Sequence, residues 1–436
     1  AVCVDIDIDR LLGGWPTCVA VEQPKALEQS SIMSTQATSA SEIKAIDKGS
    51  VHRICSGQVV LSLAVAVKEL VENAIDAGAT CVEIKLKNSG LERIEVSDNG
   101  QGVHSSNYQN LTLKHYTSKL KDFSDLTSVS TFGFRGEALS SLCALSNLSV
   151  STCTASDDVG THITYDLNGR IVAQVPCAQK TGTSVVLENL FKGWPVRVRE
   201  LTRNIKKEFG KMIHVIQGYC LVRPDVRIIC TNQTLKGSRT TILSTPGHAR
   251  LDAVIPTLFG RKQIQTLEEY VHTVGDSDED NSDFKAPTTC SSQKTNTSGK
   301  KFNPTISGFI SKADTSCGRG SSDRQFLAIN NRPCEMAKVT KVITEVFHQY
   351  VKGKAPVFVL NIELPKQEVD VNVTPDKRSI FTMWESELLE SIKTSLKTMW
   401  EPSRNQFSLS TTQSQSSLSG FMMPNTDKVK DNLHRS

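Results

Sequence analysis

The sequence predicts an α+β protein of two domains, and three observations carry that expectation. A helical apolar period runs into alternating strands between residues 58 and 98, further strands follow from 148 to 175, and helix and strand patterns restart beyond residue 204. In the first block Leu63, Val67, Leu70, Val71 and Ala74 recur at i, i+4, i+7, i+8 and i+11, which is one face of a helix over residues 58–77. Gly78 follows as a C′ glycine and stops it. Val82, Ile84 and Leu86 alternate with Glu83, Lys85 and Lys87 as a half-buried strand, and Asn88-Ser89-Gly90 turns the chain into a second strand with Ile94, Val96 and Asp98 on one face. A helix over 138–145 precedes strands at 148–154, 163–167 and 171–175, the last two joined by Asn168-Gly169, which favours a two-residue hairpin turn. That order fits helices lying beside a sheet rather than a βαβ array.

Beyond residue 204 come a helix over 206–219, a strand over 226–231 and a helix near 249–259, read as the opening of a second domain, so that the first spans 45–204 and the second 205–400. Residues 275–301, with Asp276-Ser277-Asp278-Glu279-Asp280 and a Ser/Thr/Asn/Lys run, read as a disordered loop. Strands at 305–311, 325–329 and 357–362 then bracket a helix striped by Val339, Val342, Ile343, Val346, Phe347 and Tyr350. Residues 401–436, rich in Ser, Gln and Asn, read as a flexible linker, and residues 1–44, which precede the patterned region, as a disordered or non-native extension.

Composition excludes several classes. The 436 residues suffice for two or three cores, and 50 basic against 46 acidic residues leave a net charge of +4, so any nucleic-acid surface must be local. The 12 cysteines include no pair at zinc-ligand spacing, which suits reduced thiols in a cytosolic or nuclear protein. No run approaches the ~18 apolar residues of a membrane span, so a soluble intracellular protein with no membrane partner is expected.

The residues that point to chemistry begin on the first helix, where Glu69, Glu72, Asn73 and Asp76 fall at i, i+3, i+4 and i+7 opposite the apolar stripe. A solvated face accounts for them. So does a site in which the Asn73 amide oxygen ligates Mg²⁺ while Glu69 polarises a water as general base, leaving Glu72 and Asp76 as solvated surface. Asp98 continues the buried strand face and needs donors there: either the exocyclic amine of adenine or a capping backbone amide. Gly100 and Gly102 permit close approach of backbone to a ligand. In Gly133-Phe134-Arg135-Gly136-Glu137 the glycines precede a helix whose free amides can cradle phosphates, although a plain loop-to-helix turn has the same spacing. There is no Gly-x-x-x-x-Gly-Lys-Ser/Thr, no Gly-x-Gly-x-x-Gly opening a βαβ unit, no Gly-x-Ser-x-Gly and no His-Glu-x-x-His, so P-loop, Rossmann, serine-hydrolase and zinc-protease readings lack support.

Taken with these motifs, Cys55-Ser56-Gly57-Gln58-Val59-Val60, Leu113-Lys114-His115-Tyr116-Thr117-Ser118-Lys119, Asp323-Arg324-Gln325-Phe326 and Val371-Asn372-Val373-Thr374-Pro375-Asp376-Lys377-Arg378 make the chain resemble the MutL DNA mismatch-repair proteins, in their eukaryotic post-meiotic-segregation branch. That family sits within the ATPase group of DNA gyrase, histidine kinases and a heat-shock chaperone. The resemblance covers about residues 45–400 and implies a gyrase-like (Bergerat) ATPase sandwich followed by a smaller transducer domain. It implies ATP and Mg²⁺ as cofactors, with Glu69 as base, Asn73 as metal ligand and Asp98 as reader of adenine. Gly133 to Leu139 would be the phosphate lid, with Glu137, Ala138 and Leu139 touching nucleotide. Thr117, Ser118 and Lys119 would close over ATP, Thr183 would stand near the base, and Lys377 would be lent to the γ-phosphate by the second domain.

The resemblance also implies DNA contacts from Arg332, Arg197, Arg199, Arg203, Lys206 and Lys207, made to phosphates without reading sequence. It further implies a MutL-homologue partner subunit, mismatch-recognition proteins and a nuclear address, although no basic localisation cluster is visible. The family's distal endonuclease motif does not occur in this sequence, so slow ATP hydrolysis is expected of this chain and DNA nicking is not. A nucleotide- or DNA-binding module without turnover is the alternative. A chaperone or kinase sharing the ATP fold would need a client-binding or phosphoacceptor domain in place of 205–400.

Overall fold

A computed structural model describes residues 44–120, 122, 131–274 and 303–416, with side chains described through residue 401. Residues 1–43 of the expected extension over 1–44, the expected loop over 275–301 and the last part of the expected linker, 417–436, lie outside the described residues.

The helix expected over 58–77 is two helices. In α1 (Lys48–Val59) Asp47 caps the N-terminus by accepting from the Ser50 amide. Val60 then turns extended, and the Ser62 hydroxyl accepts from the Val65 amide to open α2 (Leu63–Asp76). A new cap is what separates two apolar runs that one periodicity would join. Gly78, at φ 76°, closes α2 as expected.

Strands β1 (Cys81–Lys87), β2 (Arg93–Asp98), β3 (Asn147–Cys153), β4 (Gly160–Tyr165), β5 (Ile171–Cys177) and β6 (Gly182–Glu188) come next, with α3 (Ala138–Leu145) before β3. Helices α4 (Pro195–Arg203) and α5 (Ile205–Val222) follow, then β7 (Arg227–Gln233) and β8 (Arg239–Ser244). All eight strands form one sheet in the order β5-β4-β3-β6-β2-β1-β7-β8; α2 packs on it, and α5 packs against α2. Its pairs are antiparallel except β1 with β7, where Val82 faces Ile228 and Ile84 faces Cys230.

Residues 205–244, expected to begin a second domain, therefore complete the first sheet. The open edge of β1 takes them in, because Ile228 and Cys230 continue the fully buried row of Val82 and Ile84. The turn between β4 and β5 also differs from expectation. Asp166 pairs with Arg170, and of Asn168 and Gly169 only the glycine has positive φ, so a longer turn with a left-handed glycine replaces the two-residue type I′ turn that Asn-Gly favours, which needs positive φ at both central residues.

After α6 (Leu251–Phe259) and α7 (Arg261–Gln265), the second sheet has the order β12-β11-β13-β10-β9. Its strands are β9 (Leu267–Thr273), β10 (Thr305–Ser311), β11 (Gln325–Ile329), β12 (Arg332–Cys334) and β13 (Phe358–Glu363). The turn Asn330-Asn331 between β11 and β12 holds both residues at positive φ, a two-residue hairpin. Helix α8 (Ala337–His348) buries Val339, Ile343, Val346 and Phe347 as the stripe predicts. It packs against α9 (Glu385–Ser416), where Leu388, Ile392, Leu396 and Trp400 are buried at four-residue spacing. Residues 401–416, expected as linker, thus continue a helix. A short ladder of β14 (Val369–Asp370) with β15 (Phe381–Thr382) flanks the 371–378 segment.

Among the described residues no single helix is long and apolar enough to cross a membrane. The architecture is the α+β one the sequence predicts.

Candidate active site

Helix α2 presents its polar face inward. Glu69 and Glu72 are 5% and 1% exposed, so the solvated-face alternative is overturned for both. The reason lies outside the helix: α5 covers one flank with Tyr219, and the 374–377 turn covers the other with Lys377. Lys377 is 4% exposed although it follows a proline turn, and its φ of 58° carries the side chain inward. Its ammonium donates to Glu69 Oε2 at 3.0 Å and Oε1 at 3.3 Å, and to Glu72 Oε2 at 3.4 Å. Lys68 bonds Glu69 Oε1 and Glu72 Oε1, each at 2.9 Å, and the Tyr219 hydroxyl donates to Glu72 Oε1 at 2.5 Å. Burial pushes Glu69 up, but Lys68 and Lys377 overcome it and hold the carboxyl at about 2. Burial likewise pushes Tyr219 up, and Glu72 adds to it.

Asn73 and Asp76 face the loop before α3. The Lys119 ammonium donates to Asn73 Oδ1 at 3.0 Å and to Asp76 Oδ2 at 2.7 Å. The amides of Phe132 and Gly133 donate to the two Asp76 oxygens, both at 2.9 Å. Asp76, set aside as surface by sequence reasoning, is thus the post that holds the glycine loop. An aspartate one turn after Asn73 and a glycine-rich loop were both visible, but nothing local joined them.

Asp98, at the end of β2, accepts from the Gly100 amide at 2.8 Å and the Thr183 amide at 3.3 Å, both at Oδ1. The capping alternative therefore holds for one oxygen. Among the described residues Oδ2 takes no hydrogen bond, and Asp98 lines a cavity of about 1000 Å³. Burial pushes Asp98 up to about 6 despite the two amides. Thr183 also meets Thr152, Oγ1 to Oγ1 at 3.2 Å.

The cavity brings together Glu69, Asn73, Asp98, Gly102, Thr117, Ser118, Lys119, the whole stretch Gly133 to Leu139, Thr183 and Lys377. Gly100 is the one residue of the expected nucleotide set not on its wall. Gly102 is needed for protein packing: a Cβ there would lie 2.2 Å from the Cys153 carbonyl. Gly136, at φ 62°, passes as closely over Tyr116, where a Cβ would lie 2.5 Å from the carbonyl oxygen. Backbone packed against backbone is enough to require glycine at both positions, and both also line the cavity. Glu137 opens α3 without a side-chain cap, so the first-turn amides keep their donors for an anion.

The expected DNA residues separate into two groups. Arg332 is buried, donates to the Thr131 and Phe132 carbonyls at 2.7 and 3.0 Å, and lies over the Phe132 ring. A guanidinium so enclosed ties β12 to the glycine loop and offers nothing to a phosphate backbone, which corrects that expectation. Arg197 is half-buried over Trp194 and Phe191. Arg199, Arg203, Lys206 and Lys207 are exposed, with Arg203 paired to Glu200. Sequence reasoning missed Lys68 and Tyr219. An i, i+4 pairing of Lys68 with Glu72 was visible; Tyr219 left no signal beyond its place on an apolar helix face.

Comparisons with known proteins agree with this fold. Residues 61–183 match the family described as histidine kinase-, DNA gyrase B-, and HSP90-like ATPase, and residues 286–401 match DNA mismatch repair protein, C-terminal domain. Mismatch repair endonuclease PMS2 of Gallus gallus is 49% identical over 373 residues, covering 85% of this chain and 42% of that protein. The Homo sapiens protein of the same name is 47% identical over 385 residues, covering 88% of this chain and 43% of that one. The chain spans less than half the length of the curated relatives it matches. A crystal structure of the N-terminal domain of a DNA repair protein is 38% identical, covering 82% of this chain and 99% of that one with a TM-score of 0.70. With the ATPase-type fold and the mismatch-repair domain in one chain, this protein belongs to the MutL family of DNA mismatch-repair proteins, in its PMS1/PMS2 branch.

Proposed function

We propose that this chain binds Mg²⁺-ATP and hydrolyses it slowly, using the cycle as a conformational and dimerisation switch in nuclear DNA mismatch repair. The observation that carries the reading is a single cavity with Asp98 in one part of its wall and Glu69 with Lys377 in another. Asp98 Oδ2 accepts from the exocyclic amine of adenine. The loop from Gly133 and the first-turn amides of α3 receive phosphates, and Glu69 takes the proton of the attacking water.

Mg²⁺ fits the donor set. Asn73 Oδ1 and Asp76 Oδ2 already hold a cationic group, the Lys119 ammonium, and two protein oxygens beside phosphates suit this ion. Asn73 would hold it, where it supplies charge neutralisation at the phosphates. Lys119, displaced from Asn73, turns to phosphate, and Lys377 leaves Glu69 for the γ-phosphate. Arg135, which donates to Asn372 and to the Thr374 carbonyl, carries the movement of the loop to the segment bearing Lys377. Such ordering would join the domain to a MutL-homologue partner in concert with mismatch-recognition proteins, while Arg199, Arg203, Lys206 and Lys207 touch DNA phosphates.

A second reading, nucleotide binding without turnover, draws on one observation: Glu69 held at about 2 is a weak base while Lys377 rests on it. Single-turnover hydrolysis at varied protein concentration, with and without duplex DNA, separates the two. Glu69→Ala should keep ATP binding and lose phosphate release, by roughly 10²–10⁴-fold, whereas Asn73→Ala should weaken binding. Unchanged phosphate release in the Glu69 variant would remove the base assignment.

A further inference from the structure

We propose that Lys68, braced by Glu72 and Tyr219, positions the Glu69 carboxylate and selects which of its oxygens works as the base. The proposal rests on the reading of Glu69 as base. Adjacent residues on a helix point about 100° apart and do not normally meet, whereas residues four apart do. Lys68 meets both Glu72 and Glu69 at 2.9 Å. Its i+4 bond to Glu72 fixes the ammonium, and from there it reaches back to Glu69.

The brace is itself anchored. Glu72 is 1% exposed and does not line the nucleotide cavity, so it touches no ligand there; its Oε1 takes Lys68 and the Tyr219 hydroxyl from α5. Lys68 occupies Glu69 Oε1, while Glu69 Oε2 has Lys377 at 3.0 Å. When Lys377 moves to phosphate, Lys68 stays, so Oε2 is the oxygen freed for water. In the step, that water's proton passes to Oε2, its oxygen bonds the γ-phosphorus, and the bond to the β,γ-bridging oxygen breaks, ADP leaving with the electron pair. The charged or titratable groups facing Glu69 are Lys68 and Glu72 on α2, Tyr219 on α5 and Lys377 on its turn, with Arg332 of β12 acting on Tyr219. Removing Lys68 leaves two carboxylates sharing one cation.

The test compares Lys68→Met, Lys68→Arg, Tyr219→Phe and Glu69→Gln by single-turnover ATP hydrolysis from pH 5 to 9, with ATP affinity measured separately. Lys68→Met should lose about 10²-fold in rate, the scale for a catalytic group misplaced by 1 Å. It should keep ATP affinity within about threefold, since Lys68 touches no nucleotide group, and move the acid limb of the rate profile to higher pH. Lys68→Arg should return the limb towards wild type, and Tyr219→Phe should move rate and limb the same way by less. A wild-type rate in Lys68→Met, or a loss shared equally by affinity and rate with the limb unmoved, overturns the proposal. If Lys68→Met does not fold, Tyr219→Phe, which deletes one hydroxyl, decides: a wild-type rate and limb overturn it. Wild-type hydrolysis by Glu69→Gln would instead remove the base reading on which it rests.

Discussion

Asp98→Asn separates a carboxylate that reads adenine from one that only caps a turn. Oδ1 accepts from the Gly100 and Thr183 amides, so the carbonyl oxygen of the variant takes that side and its NH₂ faces the cavity through the place of Oδ2. A donor then meets the adenine amine, also a donor. The loss is a hydrogen bond to a charged acceptor, about 1.5–3 kcal/mol, or roughly 10- to 150-fold in ATP affinity. The pH dependence follows from the same group. With the carboxyl pushed up to about 6, about 1% is protonated at pH 8 and about 90% at pH 5, so wild-type affinity should weaken about tenfold by pH 5. Calorimetric titration with ATP from pH 5 to 8, wild type beside Asp98→Asn, checks both, because phosphate titration of the nucleotide cancels between the proteins. The wild-type advantage should shrink as the pH falls through 6. Two curves that run parallel would refute the assignment of Oδ2 to adenine.

Other consequences concern the charges around this site. Arg332→Ala should destabilise the fold by about 2–4 kcal/mol through two unsatisfied carbonyls, lowering the thermal midpoint while the salt dependence of duplex DNA binding stays as in wild type. Substituting Lys206 and Lys207 with Ala should do the reverse, leaving the midpoint unchanged and lowering the salt slope of DNA binding by about 0.9 for each phosphate no longer neutralised. Glu69, held at about 2 against an ordinary 4.5, contributes stability that is present above 4.5 and lost as pH falls through 2. Urea unfolding of Glu69→Gln should therefore lack part of the acid loss that the wild type shows in that window.

That Glu69, Asn73 and Asp98 would come to one site was legible because each sits in a short motif whose spacing states its geometry, and all three line one cavity. Glu69 and Asn73 lie one turn apart, and Asp98 stands between a strand and a glycine turn. Lys377 was legible only through resemblance, for nothing near it marks a lysine that will bond a glutamate from the other end of the chain. Glu72 and Asp76 were misread for a related reason. Periodicity defines the polar face of α2 but says nothing of what covers it, and here Tyr219 and the Phe132-Gly133 amides do. Arg332 failed in the opposite direction, since a positive charge near a turn suggests an outward guanidinium while two loop carbonyls draw it inward. The boundary at 204 was drawn where helix resumes, yet a change of element type does not end a core, as the pairing of β1 with β7 demonstrates.

That parallel pairing also governs how the ATPase unit comes into being. As synthesis proceeds, β1 has β2 beside it early, but its other flank stays bare until residues 227–233 emerge, because Cys81 waits for Arg227 and Val82 for Ile228. Long-range parallel contacts of this kind are slow to close, and an uncovered hydrophobic strand invites foreign β-pairing in the meantime. A polypeptide stopped at 204 would carry Glu69, Asn73 and Asp98 yet keep that bare flank permanently. A nucleotide-binding piece thus has to extend at least through β7, and truncations upstream of Arg227 should yield aggregate rather than a smaller ATPase.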